Sequence, residues 1–166
     1  MIKSPIIELS KKYYVKIYQQ TNSDNFETIK NFYKEENIDC KLFDFTEDIS
    51  NFMSRSNICI TRAGASTLAE LVFLNLPYIA IPLPNSKDNH QFENASFYNE
   101  IGCNWILNQN EINEEILVNK LFNIIENKDE FLVKKTNMKN FSYQNTWNNI
   151  NQKIISVINE NRISKN

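Results

Sequence analysis

Two segments carry the side chains in this 166-residue chain that have the types and spacing for binding chemistry. The first reads Thr-Arg-Ala-Gly-Ala-Ser-Thr over residues 61–67 and opens a predicted helix. Free N–H groups and the dipole at a helix start favour an anion such as a diphosphate. Gly64 would permit close approach, and Ser66 or Thr67 would add a hydroxyl hydrogen bond. An ordinary strand-to-helix turn with a capping hydroxyl explains the same residues.

Glu70 lies in the first turns of the same predicted helix. In nucleotide-binding α/β folds, an acidic residue near the strand ends accepts hydrogen bonds from ribose hydroxyls. A glutamate near a helix start also complements the helix dipole without any ligand. Both interpretations of Glu70 stay open from the residues alone.

His90, the only histidine, lies in the second segment, at the start of the next predicted helix. An imidazole with a pKa of about 6.5 suits general-base chemistry at neutral pH. However, no nucleophile pattern or partner carboxylate accompanies it, so a hydrogen bond to a substrate or to its own loop is the expected role. The cysteines lie far apart in the sequence, at Cys40, Cys59 and Cys103, and predict no zinc site.

Composition excludes several classes of protein. With only two glycines, the chain has neither a P-loop nor a G-x-G-x-x-G dinucleotide motif. A net charge of -2 without a basic block argues against nucleic-acid binding. An odd number of cysteines at unrelated spacings indicates reduced thiols of a cytoplasmic protein. No apolar run is long enough for a membrane span, and no signal peptide opens the chain.

Short β-branched and aromatic runs alternate with helical patterns, which predicts βα units around a parallel sheet. The predicted strands are residues 13–18, 41–45, 57–61, 78–82 and 104–107. The predicted helices are residues 24–36, 47–54, 64–74, 88–100, 111–127, 129–140 and 143–161. Gly102 is placed to cap the fourth helix. We expect one domain over residues 1–161 and a short tail at 162–166.

Ligands of open α/β sheets bind outside the carboxyl ends of the strands. The two segments that follow Thr61 and Pro82 meet at that edge. Taken together, I-T-R-A-G-A-S-T-L-A-E-L, a strand ending I-P-L-P, and D-N-H-Q-F-E-N-A resemble the donor-binding half of the MurG family of GT-B glycosyltransferases. The resemblance covers essentially the whole chain. It implies a Rossmann-like parallel sheet with helices on both faces, the C-terminal half of a GT-B fold.

The family transfers N-acetylglucosamine (GlcNAc) from UDP-GlcNAc to a lipid-linked muramyl pentapeptide, making lipid II for peptidoglycan. By resemblance, Glu70 holds the ribose hydroxyls of UDP and Gln91 contacts the GlcNAc hydroxyls. The remaining substrate-binding positions that match are Arg62, Gly64, Ala65, Ser66, Thr67, Asp88, His90 and Asn94. Residues 20–22 fall where the family has a polar loop near the nucleotide, although the glycine of that loop is missing.

Two features of the family are absent from the sequence: a G-G-S-x-G-A loop that helps bind the diphosphate, and an N-terminal domain that holds the lipid acceptor and, by resemblance, supplies the base. We therefore expect a fragment or one subunit of a split transferase, inactive alone. It would hold UDP-GlcNAc as substrate and need no cofactor, metal or catalytic residue of its own. A partner domain or subunit would bring lipid I, at the inner face of the plasma membrane.

Two other interpretations remain open at this point. One is the catalytic subunit of a two-chain lipid-linked GlcNAc transferase, which has similar size and motifs but carries its own glycine-rich first loop. The other is a non-catalytic α/β module that binds a nucleotide sugar or another protein. Binding of UDP by the folded chain would distinguish a donor half from a module that makes only protein contacts.

Overall fold

A computed structural model of the chain describes residues 2–144 and 149–156. The strands are β1 Lys16–Gln20, β2 Asp39–Phe43, β3 Cys59–Thr61, β4 Tyr78–Ala80 and β5 Asn104–Ile106. The helices are α1 Lys3–Ser10, α2 Ser23–Glu35, α3 Ile49–Ser54, α4 Ala65–Phe73, α5 His90–Glu100, α6 Glu114–Glu126 and α7 Lys128–Gln144, and residues 149–156 are also helical. The predicted α/β class is confirmed.

All strand pairs in the described part of the chain are parallel, as predicted. The sheet, however, is divided: β1 pairs with β2, whereas β3, β4 and β5 form a separate three-stranded ladder in that order. The first two strands also start elsewhere than predicted. β1 begins three residues later than expected, at Lys16, and β2 begins two residues earlier, at Asp39. Both strands begin where their parallel register begins, at Lys16 opposite Asp39, and the run of aromatic residues at the predicted start of β1 does not set that boundary.

Helices cover both faces of the strands, as expected for this class. On one face, a cluster contains Leu9 of α1 and Leu117 of α6 with Ile79 and Trp105 of the sheet. On the opposite face, α4, α5 and α7 enclose a second cluster, which contains Leu68, Leu71, Tyr78, Ala95 and Met138. A third cluster, around Ile6, Tyr33 and Ile38, lies under β1 and β2.

α1 was not predicted from the sequence. Its pattern is short, and Pro5 argues against a helix unless it stands in the first turn, where its missing N–H costs nothing. That is where Pro5 lies, with the N–H of Ile6 donating to the carbonyl of Ile2 at 3.2 Å. Burial of Pro5, Ile6 and Leu9 along one side stabilises the helix against the rest of the molecule.

Three helices end in the same way, with a left-handed residue just past the last turn. Gly102 follows α5 with φ 74°, and Asn37 and Asn75 follow α2 and α4 with φ 54° and 56°. After α5, the N–H of Gly102 donates to the carbonyl of Asn99 and that of Cys103 to Tyr98, both at 2.8 Å. This Schellman pattern satisfies the last carbonyls of the helix. The predicted cap at Gly102 is confirmed.

The cysteines form no disulfide. Burial raises the pKa of Cys59 to about 12 and that of Cys103 to about 11. Both thiols are therefore protonated and poorly nucleophilic at neutral pH. α7 continues to Gln144, so the predicted break between residues 140 and 143 is wrong, whereas residues 149–156 of the last predicted helix, 143–161, are helical. The remainder, like the predicted tail, lies outside the described residues.

We predict that Gly102→Ala destabilises the chain by about 1–2 kcal/mol through the left-handed conformation alone. The new Cβ would also lie 2.5 Å from Nδ2 of Asn137, so that side chain must move. Gly64→Ala is the control, because Gly64 has φ -70° and should cost less than about 1 kcal/mol. Urea unfolding measures both, and equal losses in the two variants would contradict the assignment.

Candidate functional site

The N-terminus of α4 presents backbone donors at the carboxyl edge of β3. Gly64 is the N-cap residue, no side chain caps this end, and the first helical bond runs from the N–H of Leu68 to the carbonyl of Gly64 at 3.0 Å. The N–H groups of the first turn, at Ala65, Ser66 and Thr67, therefore lie ahead of the helical hydrogen-bond ladder. A Cβ on Gly64 would meet only Oγ1 of Thr67, at 3.9 Å. The fold therefore does not need a glycine here.

Two side chains of α5 hold the residue before this helix start. Oε1 of Gln91 accepts from the N–H of Ala63 at 3.4 Å, and Nδ2 of Asn94 donates to the carbonyl of Ala63 at 3.1 Å. Ala63 is fully buried, so both of its backbone groups depend on these partners. We call this arrangement the Ala63 clamp. Oε1 of Gln91 also accepts from the N–H of Leu83 at 3.0 Å, which joins the two strand-end loops.

Arg62 is directed toward the end of β4. Its Nη1 donates to the carbonyl of Ile81 at 3.1 Å and to Oε1 of Gln109 at 2.5 Å. The guanidinium therefore ties three loops of the same edge together. The sequence did not predict the contact between Arg62 and Gln109, because Gln109 lies in a loop with no motif.

The loop before α5 is wound tightly. Asp88 and Asn89 are consecutive left-handed residues, with φ 51° and 55°. Nδ1 of His90 lies 2.6 Å from the carbonyl of Lys87 and donates to it, which directs Nε2 away from the loop. The N–H of Gln91 donates to Oγ of Ser86 at 3.4 Å. His90 thus has the loop-holding hydrogen bond that the sequence suggested, and its side chain is exposed.

Glu70 lies one turn beyond Thr67 on α4 and is exposed. Both residues line a cavity of about 570 Å³ that also borders Thr61 and the end of β1 at Gln20. No ion pair or hydrogen bond within the described chain engages the carboxylate of Glu70. The acid is therefore available to a ligand.

The structure brings most of the predicted positions to one edge of the molecule. Residues 64–67, Glu70, Gln91 and Asn94 surround the start of α4, while Asp88 lies in the exposed loop before α5 and His90 is the first residue of that helix. Gln20 reaches the same cavity, and its Nε2 donates to the carbonyl of Asp44 at 2.8 Å. Ala63 also belongs to this edge, which residue types alone did not indicate, because it takes part only through its backbone groups.

Two other features are absent from residues 2–144 and 149–156. None of the helices there is both long and apolar enough to span a bilayer. No group of three or more His, Cys, Asp or Glu side chains is arranged to hold a metal ion in the same part of the chain.

We predict that Asn94→Ala lowers the free energy of unfolding by about 1–3 kcal/mol, because it leaves the buried carbonyl of Ala63 without its donor. Glu93→Gln on the same helix changes an exposed side chain and should stay within about 0.5 kcal/mol of the parent. Chemical unfolding monitored by circular dichroism measures both. An Asn94→Ala variant as stable as Glu93→Gln would show that the clamp contributes nothing.

Comparison with known proteins identifies close relatives. A UDP-N-acetylglucosamine–N-acetylmuramyl-(pentapeptide) pyrophosphoryl-undecaprenol N-acetylglucosamine transferase of Pelagibacter ubique is 66% identical over 161 residues, 97% of this chain and 45% of the relative. A transferase of the same name from Rickettsia bellii is 40% identical over 111 residues, 67% of this chain and 31% of the relative. The chain thus spans less than half the length of these relatives.

The fold has a solved counterpart. The crystal structure of MurG from Acinetobacter baumannii superposes with a TM-score of 0.71 at 25% identity, covering 83% of this chain and 40% of that protein. The model of the glycosyltransferase family 28 C-terminal domain matches residues 2–154. Since this match takes in nearly every element described above, the chain belongs to the glycosyltransferase family 28 C-terminal domain family.

Proposed function

We propose that this chain is the UDP-GlcNAc-binding half of an inverting GlcNAc transferase that makes lipid II for peptidoglycan. The observation that carries the proposal is the uncapped start of α4, fixed by the Ala63 clamp beside the exposed Glu70. The family assignment and the names of the relatives indicate which donor such a site takes.

The diphosphate of the donor would bind at the start of α4. N–H groups of Ala65, Ser66 and Thr67 precede the helical ladder there, and the hydroxyls of Ser66 and Thr67 extend the same donor set. When the bond between the sugar and UDP breaks, negative charge grows on the diphosphate. Oriented backbone donors and the helix dipole stabilise that charge without reorganising. Gly64 would serve the ligand and not the fold, since it leaves the approach to these donors open.

The ribose would lie against Glu70. Its carboxylate is one helical turn past Thr67, on the same cavity, so a nucleotide whose diphosphate reaches the helix start can place its ribose beside it. An ionised carboxylate accepts from both ribose hydroxyls at once.

The GlcNAc group of the donor would be bound by the side-chain amide of Gln91. Its Oε1 is committed to the N–H groups of Ala63 and Leu83, which leaves the two N–H donors of the side-chain amide for hydroxyl oxygens of GlcNAc. Asn94 is then a positioning residue that acts through Ala63. Arg62, Asp88 and His90 would shape the rim around the sugar.

A complete transferase needs an acceptor held in line with the donor. We propose that an acceptor-binding domain or subunit brings lipid I and the base, at the cytoplasmic face of the plasma membrane. The chain described here would then bind UDP-GlcNAc without turning it over, and would hold no cofactor of its own.

Calorimetry with UDP and 2′,3′-dideoxy-UDP tests the ribose assignment. We predict that Glu70→Gln weakens UDP binding about 10- to 100-fold, about 1.4–2.8 kcal/mol, because two charge-assisted hydrogen bonds are lost. Binding of the dideoxy ligand, which has no ribose hydroxyls, should be the same in the parent and the variant. An equal loss for both ligands would contradict the ribose role, and a folded parent chain that binds neither would contradict the donor half.

A second prediction concerns catalysis. In a two-domain enzyme made by joining this chain to the remaining part of the Pelagibacter ubique relative, Glu70→Ala should lower kcat/KM for UDP-GlcNAc about 10- to 100-fold. Glu93→Gln serves as the control and should match the parent enzyme. Steady-state kinetics at varied UDP-GlcNAc measures the ratio, and parent-like kinetics for Glu70→Ala would contradict its assignment.

A further inference from the structure

The guanidinium of Arg62 is anchored through one nitrogen and by neutral partners. Its Nη1 donates to the carbonyl of Ile81 at 3.1 Å and to Oε1 of Gln109 at 2.5 Å. No carboxylate pairs with Arg62 within residues 2–144 and 149–156. The side chain is exposed, so its positive charge is available to an anion at the strand-end edge.

The opposite side of this guanidinium has the geometry that suits a phosphate. Nη1 carries two N–H groups, and it makes both hydrogen bonds of the side chain. Nε and Nη2 make no hydrogen bond within the part of the chain that the structure describes. Their parallel N–H groups form a planar fork that matches two oxygens of one phosphate. Because the group is rigid, holding Nη1 also sets the direction of this fork.

Gln109 is itself held in place by the sheet. The N–H of Leu107 donates to the carbonyl end of β4 at 3.0 Å, so the chain is fixed two residues before Gln109. The N–H groups of Glu111 and Ile112 then donate to the carbonyl of Asn108, each at 3.1 Å, which closes a tight turn. The carboxylate of Glu111 accepts from Nδ2 of Asn108 at 3.2 Å and thus bonds within its own turn. The loop after β5 therefore presents Gln109 from a fixed position.

The same contacts place the cation near the donors of α4. Ile81, which accepts from Arg62, donates its own N–H to the carbonyl of Thr61 at 2.8 Å, so both anchors of the guanidinium belong to the carboxyl edge of the sheet. Arg62 directly precedes the clamped Ala63 and the N-cap residue Gly64. A diphosphate has oxygens on two phosphorus atoms, so a helix start and a guanidinium can bind it together.

We propose that Gln109 is a positioning residue, which holds the guanidinium of Arg62 so that Nε and Nη2 bind the diphosphate of the donor. The inference rests on the proposed function, because it requires UDP to bind at this edge. A neutral amide suits the role, since it accepts a hydrogen bond without cancelling the charge of Arg62. A carboxylate at position 109 would accept the same hydrogen bond, but its ion pair with Arg62 would compete with the phosphate.

Calorimetry of Gln109→Glu with UDP and with uridine tests the proposal. We expect UDP binding to weaken about tenfold, because the added carboxylate neutralises the cation, while uridine, which has no phosphate, binds as it does to the parent. Asn110→Asp is the matched control. It adds the same charge at the next residue, which is exposed and does not contact Arg62, and should leave the affinity for UDP within about twofold of the parent.

Parent-like UDP binding by Gln109→Glu would overturn the proposal, as would equal losses in Gln109→Glu and Asn110→Asp. A folded parent chain that binds no UDP would contradict the proposed function as well. Binding by the parent with no effect of Gln109→Glu would contradict only the role of Gln109.

A double-mutant cycle asks whether Gln109 acts through Arg62. We expect Gln109→Ala to weaken UDP binding about 3- to 10-fold in the parent and to have no further effect in an Arg62→Ala background, because the group it orients is then gone. Additive losses would overturn the proposal. Equal losses of UDP and uridine binding in Gln109→Ala would also overturn it, since a merely structural role does not distinguish the phosphate. Chemical unfolding of each variant verifies that it is folded.

Discussion

The backbone of Ala63 is held on both of its polar groups by side chains of α5, and the geometry of the candidate site depends on that clamp. Gln91 and Asn94 stand one turn apart on a helix, so they can grip an N–H and a carbonyl of one buried residue. The Ala63 clamp fixes the backbone between the end of β3 and the start of α4. The orientation of the first-turn N–H donors of α4 therefore depends on side chains of the neighbouring helix α5.

In this chain with two glycines, asparagine as well as glycine adopts the left-handed conformation that ends helices. Asparagine tolerates the left-handed region better than most residues because its short polar side chain bonds locally. Asparagine takes the position usually filled by glycine after α2 and α4. After α5 that position is Gly102, where an added Cβ would lie 2.5 Å from Nδ2 of Asn137. Asn37 and Asn75 therefore have a structural role at these helix ends.

The sequence predicted α4 almost to the residue, because a small-residue start and an Asn-x-Pro stop bracket a strongly apolar pattern. It also predicted the cap at Gly102 and the position of the two strand-end loops at one edge of the sheet. It missed α1, whose apolar pattern is short, and it shifted β1 and β2, because the register of Lys16 against Asp39 is a tertiary property. The hydrogen bonds of Gln91 could not be predicted, since the direction of an amide oxygen depends on which backbone groups fold beside it.

A nucleoside diphosphate that binds with its phosphates at the start of α4 should perturb the amides there, and backbone chemical-shift mapping of the folded chain detects such changes residue by residue. Titration with UDP, compared with uridine at the same concentrations, separates the phosphate contribution from that of the nucleoside. We expect saturable shifts of the amides of Ala65, Ser66 and Thr67 with UDP and much smaller shifts with uridine. Equal shifts with both ligands, or phosphate-dependent shifts confined to other helices, would contradict it.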